Sequence, residues 1–321
     1  MAQRAIGVDL GGSHVLAAVV DENGTITSRH EAEVTDRSFE IVLKQLEATI
    51  AGALAKAGSV VGIGVGSPGN IDAKTGAVRY SPNFGSTWEN APLGERLRAR
   101  FSVPVFVGND ARCATLGEFT YGVGRGTKDF VLLTIGTGIG GGIVADGSLI
   151  LGAAMGAGEI GHHQIRPTDG FLCSCGKVGC FEVQASGTGL LRHAMALAPS
   201  FPRSALLDVP RENLGSKKIR RAAQAGDLHA LAAWRNFTSD LALGLANIVA
   251  FLNPDVIALG GGVSSAEDFL LDAVRPRVDA LTTMAPRGST RISIAQFEND
   301  AGALGAATMA ARGGLTVRKV A

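Results

Sequence analysis

The sequence predicts an α/β protein of more than one lobe, and three observations carry that expectation. Strand patterns alternate with helical patterns along the chain, the order expected of an α/β fold. One plan, strand, glycine turn, strand and hairpin, occurs twice, at "AIGVDLGGSHVLAAVVDENGTI" and at "FVLLTIGTGIGGGIVADGSLI", so the chain reads as internally duplicated. With 321 residues, 46% of them hydrophobic, there is material for a substantial core, and two domains are the default.

The elements follow in order. The opening segment reads as a β-meander whose hairpin closes at Asn23-Gly24, a type I′ turn signal. "SFEIVLKQLEATIAGALAKAG" sets Phe39, Leu43, Leu46, Ile50 and Leu54 at helical spacing, with Gly58 as the stop. "VVGIGVGSPGNID" is a buried apolar strand that runs into a Gly-Pro-Gly loop, and "PVFVGNDARCATLGEF" is a strand opening into a helix after Asn109-Asp110. The second meander closes at Asp146-Gly147. Between residues 227 and 253 a long helix carries Trp234, Phe237, Leu241, Leu245, Ile248 and Leu252 on one stripe, a core-packing pattern, and Asn253-Pro254 stops it. "DVIALGGGVSS" is a strand ending in a triple-glycine turn, and "DAGALGAATMAARGG" is a closing Ala-rich helix with Asp300 near its cap.

Composition narrows the function. The net charge is +1, charged residues make up 18%, and no basic block resembles a nucleic-acid or membrane-surface patch. No signal-peptide pattern opens the chain and no apolar run approaches the length of a membrane span, so the expectation is a cytoplasmic protein acting on small molecules. The glycine turns "DLGGS" and "IGTGIGG" let backbone N–H groups approach phosphate closely. Neither is a Walker A loop nor a dinucleotide fingerprint. Each alone would close a hairpin equally well; the pair, in duplicated hairpins, points to a polyphosphate gripped from two sides.

"IGVDLGGSHV", "GSPGNID", "GNDARCATLGE", "IGTGIGGGIV", "GAGEIGHHQI", "CSCGKVGCFE" and "NPDVIALGGGV" stand in the order found in the ROK family of sugar kinases and sugar-responsive repressors. The chain resembles the bacterial glucokinases of that family from about residue 5 to residue 312. The resemblance implies a two-lobed actin-like and hexokinase-like ATPase fold, each lobe built on a ribonuclease-H-like mixed sheet. It places a small lobe at 1–115, completed by a C-terminal helix at 300–321, with the first phosphate loop and the catalytic aspartate. A large lobe at 116–299 would hold the second phosphate loop, the cysteine motif and an adenosine motif.

The resemblance further implies ATP-dependent phosphorylation of the 6-hydroxyl of a hexose, D-glucose first, with fructose, mannose or an N-acetylhexosamine as alternatives. Such a transfer needs a carboxylate to accept the hydroxyl proton and cations and amides around the phosphate. Asp110, in the Asn-Asp pair, matches the family's catalytic aspartate; its competing reading is a helix N-cap. Asp9 is expected beside magnesium and the phosphates, with Gly11, Gly12, Ser13, Thr137 and Gly138 as phosphate contacts and Gly260, Gly261 and Gly262 near the adenosine. Gly66, Asn83, Asn109, Asp110, Glu159, His162 and Glu182 are nominated for the sugar, since carboxylates and amides match hydroxyls pairwise. Ser13 and His14 depart from the more usual Thr-Lys, Gly108 from a common glutamate and Arg112 from a common asparagine. Without the resemblance, Glu159 reads as an ordinary loop carboxylate and Glu182 as a solvated one.

Residues 173–180, "CSCGKVGC", hold three of the chain's four cysteines. In a reducing compartment clustered thiols are more often metal ligands or catalysts than disulfides, and the C-x-x-C beside a helix start that a redox site needs is absent. C-x-C-x4-C supplies three soft ligands and a closed tetrahedral zinc site needs a fourth; His162 and His163 lie just upstream. The family spacing selects His162, with Cys173, Cys175 and Cys180, and leaves His163 a spectator and Cys113 a core residue. Four protein ligands leave no open position, so this zinc is expected to be structural. The other class of function, a non-catalytic sugar-sensing regulator, is set against a phosphate loop that begins at Asp9, which leaves no room for a preceding helix-turn-helix domain. A homodimer is expected from the relatives.

Overall fold

The computed structural model describes residues 3–82 and 84–315, which form two compact units. Unit 1 comprises 1–128, 142–158 and 296–321; unit 2 comprises 129–141 and 159–295. Residues 116–128 and 142–158, expected in the second lobe, thus cluster with unit 1. One helix spanning both sides of the expected boundary at 115 explains the first of these, and residues 316–321 lie outside the described residues.

Unit 1 is built on a five-stranded sheet of order β3-β2-β1-β4-β7. Its strands are β1 (Ala5–Leu10), β2 (His14–Val20), β3 (Ile26–Glu33), β4 (Ile63–Ser67) and β7 (Val105–Asn109), with β5 (Asn70–Ile71) and β6 (Val78–Tyr80) forming a small ribbon. β1 pairs antiparallel with β2 and β2 with β3; β1 and β4, and β4 and β7, are parallel. Alternation sorts the side chains onto two faces. Ile6, Val8, Leu10, Val15, Ala17 and Val19 meet α1 (Phe39–Ala57) and α2 (Leu93–Arg100). Ala5, Leu16, Ala18 and Val20 meet α9 (Ala301–Arg312). α1 ends at Gly58, the stop the sequence predicts, with a positive φ of 68° that glycine adopts readily; Leu54 is only partly buried.

The other face has an unusual constraint. A Cβ at Gly7 would strike Ala303 O and one at Gly64 would strike Ala306 O, so α9 lies directly on the backbone of β1 and β4. On its far side α9 meets α3 (Asp110–Tyr121) just as closely: a Cβ at Gly305 would strike Cys113 O, and one at Gly117 Ala301 O. The Ala and Gly content of α9 follows from this sandwich, since larger side chains would hold the helix off on both sides. Asp300 stands at the N-cap position but caps nothing with its side chain; its carboxylate takes a bidentate pair from Arg29 at 2.5 and 2.6 Å.

Unit 2 contains β8 (Phe130–Ile135), β11 (Val256–Gly260) and β12 (Arg291–Ile294), mutually parallel in the order β8-β11-β12. With β9 (Ile139–Ala145) and β10 (Ser148–Leu149) they make a sheet of order β10-β9-β8-β11-β12, the same plan as β3-β2-β1-β4-β7. The unit boundary falls within β9. Each sheet has the ribonuclease-H-like order, and the duplication read from the sequence is present. The helices are α4 (Phe181–Ala185), α5 (Gly187–Leu197), α6 (Ser216–Gln224), α7 (Leu228–Leu252) and α8 (Asp268–Leu281). Asp227 caps α7 through Ala230 N, and Asn253 closes it in the left-handed conformation, φ 39°. Trp234, Phe237, Leu241, Leu245 and Ile248 are buried as the stripe predicts; Leu252, at the fraying end, is exposed.

The two hairpins differ. Asp146 and Gly147 both have positive φ, the type I′ geometry. At the first hairpin only Gly24 does, which corrects the type I′ expectation for Asn23-Gly24. The cause is Asp21, whose Oδ1 accepts from Asn23 N and Thr25 N and imposes its own turn. Among the described residues no helix is long and apolar enough to cross a membrane.

The α9 sandwich predicts that Gly305→Ala destabilises the protein by about 3 kcal/mol, an overpacking cost at the upper end of the usual range. Thermal unfolding monitored by circular dichroism should show the loss, with Gly156→Ala, whose added methyl meets open space, melting like the unsubstituted protein. Equal melting of the two variants would contradict the close backbone approach.

Candidate active site

In unit 1 the strand register gathers the predicted residues. Asp9 on β1 pairs with Gly66 on β4, Gly66 pairs with Gly108 on β7, and Ser67 pairs with Asn109. They lie at the carboxyl ends of adjacent parallel strands, where ligands of open α/β sheets bind. Asp110 follows as the first residue of α3. Asn109, not Asp110, is the N-cap: its Oδ1 accepts from Arg112 N at 3.1 Å while its Nδ2 donates to Gly69 O at 3.1 Å. The capping alternative for Asp110 is therefore already filled, and the Asp110 carboxylate, which accepts from Ala111 N at 2.8 Å, lies at the positive end of α3. A Cβ at Gly66 would come within 3.4 Å of Asp110 Cα, so the glycine lets the two strands' termini lie close.

Burial, and then the neighbouring charge of Asp110, push the Asp9 carboxyl up to about 7. The first turn of α9 covers it: a Cβ at Gly302 would fall 2.5 Å from Asp9 Cγ. Two carboxylates at such close quarters disfavour joint ionisation unless a cation compensates them. The turn beyond Asp9 is closed by Gly11 N donating to His14 O at 2.9 Å, with Ser13 Oγ 2.8 Å from His14 Nδ1. Arg37, unremarkable in the sequence, donates from Nε to Gly12 O at 3.0 Å and lies over the Phe84 ring. It brings a guanidinium to the turn that carries Ser13 and His14. Asn83 lies outside the described residues. At the two departures, 108 and 112, the surroundings are filled: the side chains of Met309, Leu315 and Cys113 lie within 3.4 Å of where a Cβ at Gly108 would stand, and buried Arg112 donates from Nε and Nη2 to Ala157 O.

In unit 2 the second glycine turn, Gly136–Gly138, is fastened through its backbone. Gly136 N donates to Gly138 O, Gly187 N to Gly136 O at 2.8 Å, and Thr188 Oγ1 to Thr137 O at 2.7 Å. On the far side Ile139 N donates to Glu182 Oε2 at 3.0 Å. Gly261, φ 84°, packs against the backbone of Ile135, and Val263 N donates to Ile135 O, so the Gly260–Gly262 turn and the glycine turn are neighbours. The anchors Gly187 and Thr188 were missed; the Ser-Gly start of a helix, with Ser186 Oγ accepting from Gly189 N, was the available signal.

The cysteine segment folds into a knuckle. Cys173 N donates to Lys177 O, and Gly176, φ 86°, makes the turn possible. Donor atoms of His162, Cys173, Cys175 and Cys180 all lie within 4.8 Å of one another. Cys175 Sγ is 3.6 Å from Cys180 Sγ, and Cys173 Sγ is 3.7 Å from His162 Nδ1. A tetrahedron with metal–sulfur bonds of about 2.3 Å has edges of about 3.8 Å, so these two pairs already have that spacing and no pair of the four donors would have to draw in by more than about 1 Å. The Lys177 backbone N–H holds the Cys175 thiol down at about 7, while burial pushes Cys180 up to about 12; a cation drives coordinating thiols to thiolate. His163 points elsewhere, with Nδ1 2.6 Å from Ile160 O and its ring against Phe181. Glu159 directly precedes the short turn Ile160–His162.

Two buried contacts seat the knuckle on α7. Arg166 Nε donates to Asp240 Oδ1 at 2.6 Å, and the Asp240 side chain is 1% exposed. Phe181 packs so tightly on α7 that a Cβ at Gly244 would enter its ring. Cys180 is the N-cap of α4 and Glu182 lies in its first turn, so the knuckle, α4 and the glycine turn form one continuous piece. Glu182 is partly buried and committed to Ile139, which corrects its reading as a solvated carboxylate.

A family model described as the ROK family matches residues 5–312. A glucokinase of Halalkalibacterium halodurans is 36% identical over 307 residues, 94% of this chain and 92% of that protein. The crystal structure of a ROK family glucokinase from Streptomyces griseus, in complex with glucose and AMPPNP, superposes with a TM-score of 0.82 at 35% identity, covering 96% of this chain and 99% of that one. A ROK hexokinase from Thermus thermophilus superposes at 0.81 with 30% identity, over 95% of this chain and 97% of that one. With strand orders, glycine turns and the His-Cys cluster all in the places the motifs foretold, this chain belongs to the ROK family.

Proposed function

We propose that this chain is an ATP-dependent glucokinase that transfers the γ-phosphoryl group to the 6-hydroxyl of D-glucose. The observation that carries the reading is Asp110, placed at the start of α3 with its capping role taken by Asn109 and with Asp9 at the end of β1, one strand removed from β7. In the proposed step the Asp110 carboxylate accepts the hydroxyl proton as the sugar oxygen bonds to phosphorus. The bond from phosphorus to the bridging oxygen breaks and ADP leaves. Backbone N–H groups and hydroxyls of Gly11, Gly12, Ser13, Thr137 and Gly138 would hold the phosphates, with the Gly260–Gly262 turn near the adenosine.

Magnesium beside Asp9 would neutralise phosphate charge, and the paired carboxylates Asp9 and Asp110 suit a hard cation that keeps its waters. Zinc fits the Cys173, Cys175, Cys180 and His162 donors; with four protein ligands it would brace and not activate water. Gly66, Asn109, Glu159, His162 and Glu182 are the proposed sugar neighbours, with Asn83. His162 would hold the metal through Nδ1 and keep its other nitrogen for a sugar hydroxyl. The reading also places the enzyme in the cytoplasm, where thiols stay reduced for metal.

Asp110→Asn should bind glucose and ATP yet lose about 100-fold to 10,000-fold in kcat, the usual worth of a general base. Coupled ADP release with glucose, mannose, fructose and N-acetylglucosamine in parallel checks both the base and the sugar; undiminished turnover removes Asp110 from the role. Cys175→Ser should lose metal, by inductively coupled plasma analysis, together with glucose affinity. Wild-type affinity in a metal-free variant would separate the knuckle from the sugar site.

The raised Asp9 gives a pH signature. The unfolded chain releases this proton near 3.8, as an ordinary aspartate does, and the folded chain only near 7, so between those values rising pH costs stability. Without divalent cation, Asp9→Asn should therefore melt above wild type at pH 7.5, and the gap should narrow towards pH 4. A gap that persists at pH 4 would assign the gain to packing.

A further inference from the structure

The second glycine turn is held at three backbone positions, and the three holds differ in kind. Gly187 N and Thr188 Oγ1 fasten its carbonyls from the start of α5, whereas Glu182 accepts the N–H of Ile139. Only the last hold comes from the metal knuckle's own helix, since Cys180 caps α4 and Glu182 sits in that helix's first turn. The contact leaves no slack. A Cβ at Gly138 would collide with Glu182 Oε2, and one at Gly161 would enter Ile139 O and lie 3.3 Å from Glu182 Cβ. A side chain at Gly138 would push the carboxylate off Ile139, and one at Gly161, beside His162, would strike the Ile139 backbone.

We infer that Glu182 is a positioning residue for the nucleotide: its carboxylate fixes the Thr137–Ile139 backbone so that the Thr137 and Gly138 amides are set for the terminal phosphates before sugar arrives. The inference rests on the proposed reading of this turn as a phosphate loop. A backbone nest binds an anion only when its N–H groups already converge, because ordering a loop costs roughly 1 to 2 kcal/mol per residue. Each glycine in the turn raises that cost, and the hydrogen bond to a carboxylate is of the stronger, charge-assisted class. The knuckle therefore reaches beyond the sugar: a metal that fixes Cys180 fixes the start of α4, and with it the acceptor for Ile139.

Sugar-free binding of magnesium–AMPPNP by calorimetry, with hydrogen exchange of the peptide spanning 136–142, tests this on the full metal-loaded chain. Glu182→Ala should bind the nucleotide at least about tenfold more weakly and exchange faster at 136–142, with metal content unchanged. Glu182→Asp, whose shorter side chain cannot reach Ile139, should behave alike and serves if the alanine variant folds poorly. Glu182→Gln, whose amide oxygen can still accept, should recover most of the nucleotide affinity while glucose affinity stays reduced. A residue that served only the sugar would leave sugar-free nucleotide binding and exchange at wild-type values in all three variants, and that result overturns the inference while leaving the kinase reading intact. Failure of the wild type to bind magnesium–AMPPNP would instead overturn the kinase reading, and this inference with it.

Discussion

The approach of α9 to the backbone of β1, β4 and α3 is the constraint on which unit 1 depends. Four glycines, Gly7, Gly64, Gly117 and Gly305, remove the side chains that would otherwise separate these elements. Once α9 lies flat on the sheet, its first turn covers Asp9 at Gly302, and its other side fixes α3 with Asp110 at the start. The strand register does the rest, since pairing Asp9 with Gly66 and Gly66 with Gly108 leaves no freedom in where the two carboxylates stand. The chain's last described helix and its first strand therefore build one corner of the site, although nearly the whole sequence lies between them.

Unit 2 solves a different problem by different means. Its glycine turn cannot be ordered by side-chain packing, having almost no side chains, and is held through its backbone from α5 and α4. The knuckle in turn is held on α7 by one buried carboxylate and one aromatic ring. Arg166 is partly exposed but the Asp240 carboxylate is buried, so losing the guanidinium would leave a buried charge without that partner, and Asp240 ties the long helix to the cysteine segment more firmly than an exposed pair such as Arg96–Glu40 ties its own elements.

Much of this was legible in the sequence because the signals are local. Helix stripes, Gly58 and Asn253 as stops, and the Asp146-Gly147 turn depend on neighbours in the chain, and the structure has them where the sequence puts them. The His162 and cysteine spacing was equally plain, since four donors brought together within a short segment are a local arrangement. What escaped depends on distant partners. Asn23-Gly24 has the composition of a type I′ turn, but Asp21 competes for the same N–H groups. Asp300 has the position of a cap, but Arg29 takes its carboxylate. Glu182 looks solvated until Ile139 is brought beneath it, and Arg37 means nothing until the chain returns it to Gly12. Sequence shows which residues can act; only the fold decides which partner claims them.

The contrast between Cys113 and the knuckle thiols makes the chain its own metal gauge. Cys113 is fully buried, and desolvation, with Asp9 and Asp110 nearby, raises its thiol far from the reactive range. The other three thiols are those the metal would claim. Of these Cys175 alone is exposed, Cys173 and Cys180 being buried like Cys113, so a thiol-reactive dye on the folded chain reports on Cys175, whose labelling a bound metal would suppress.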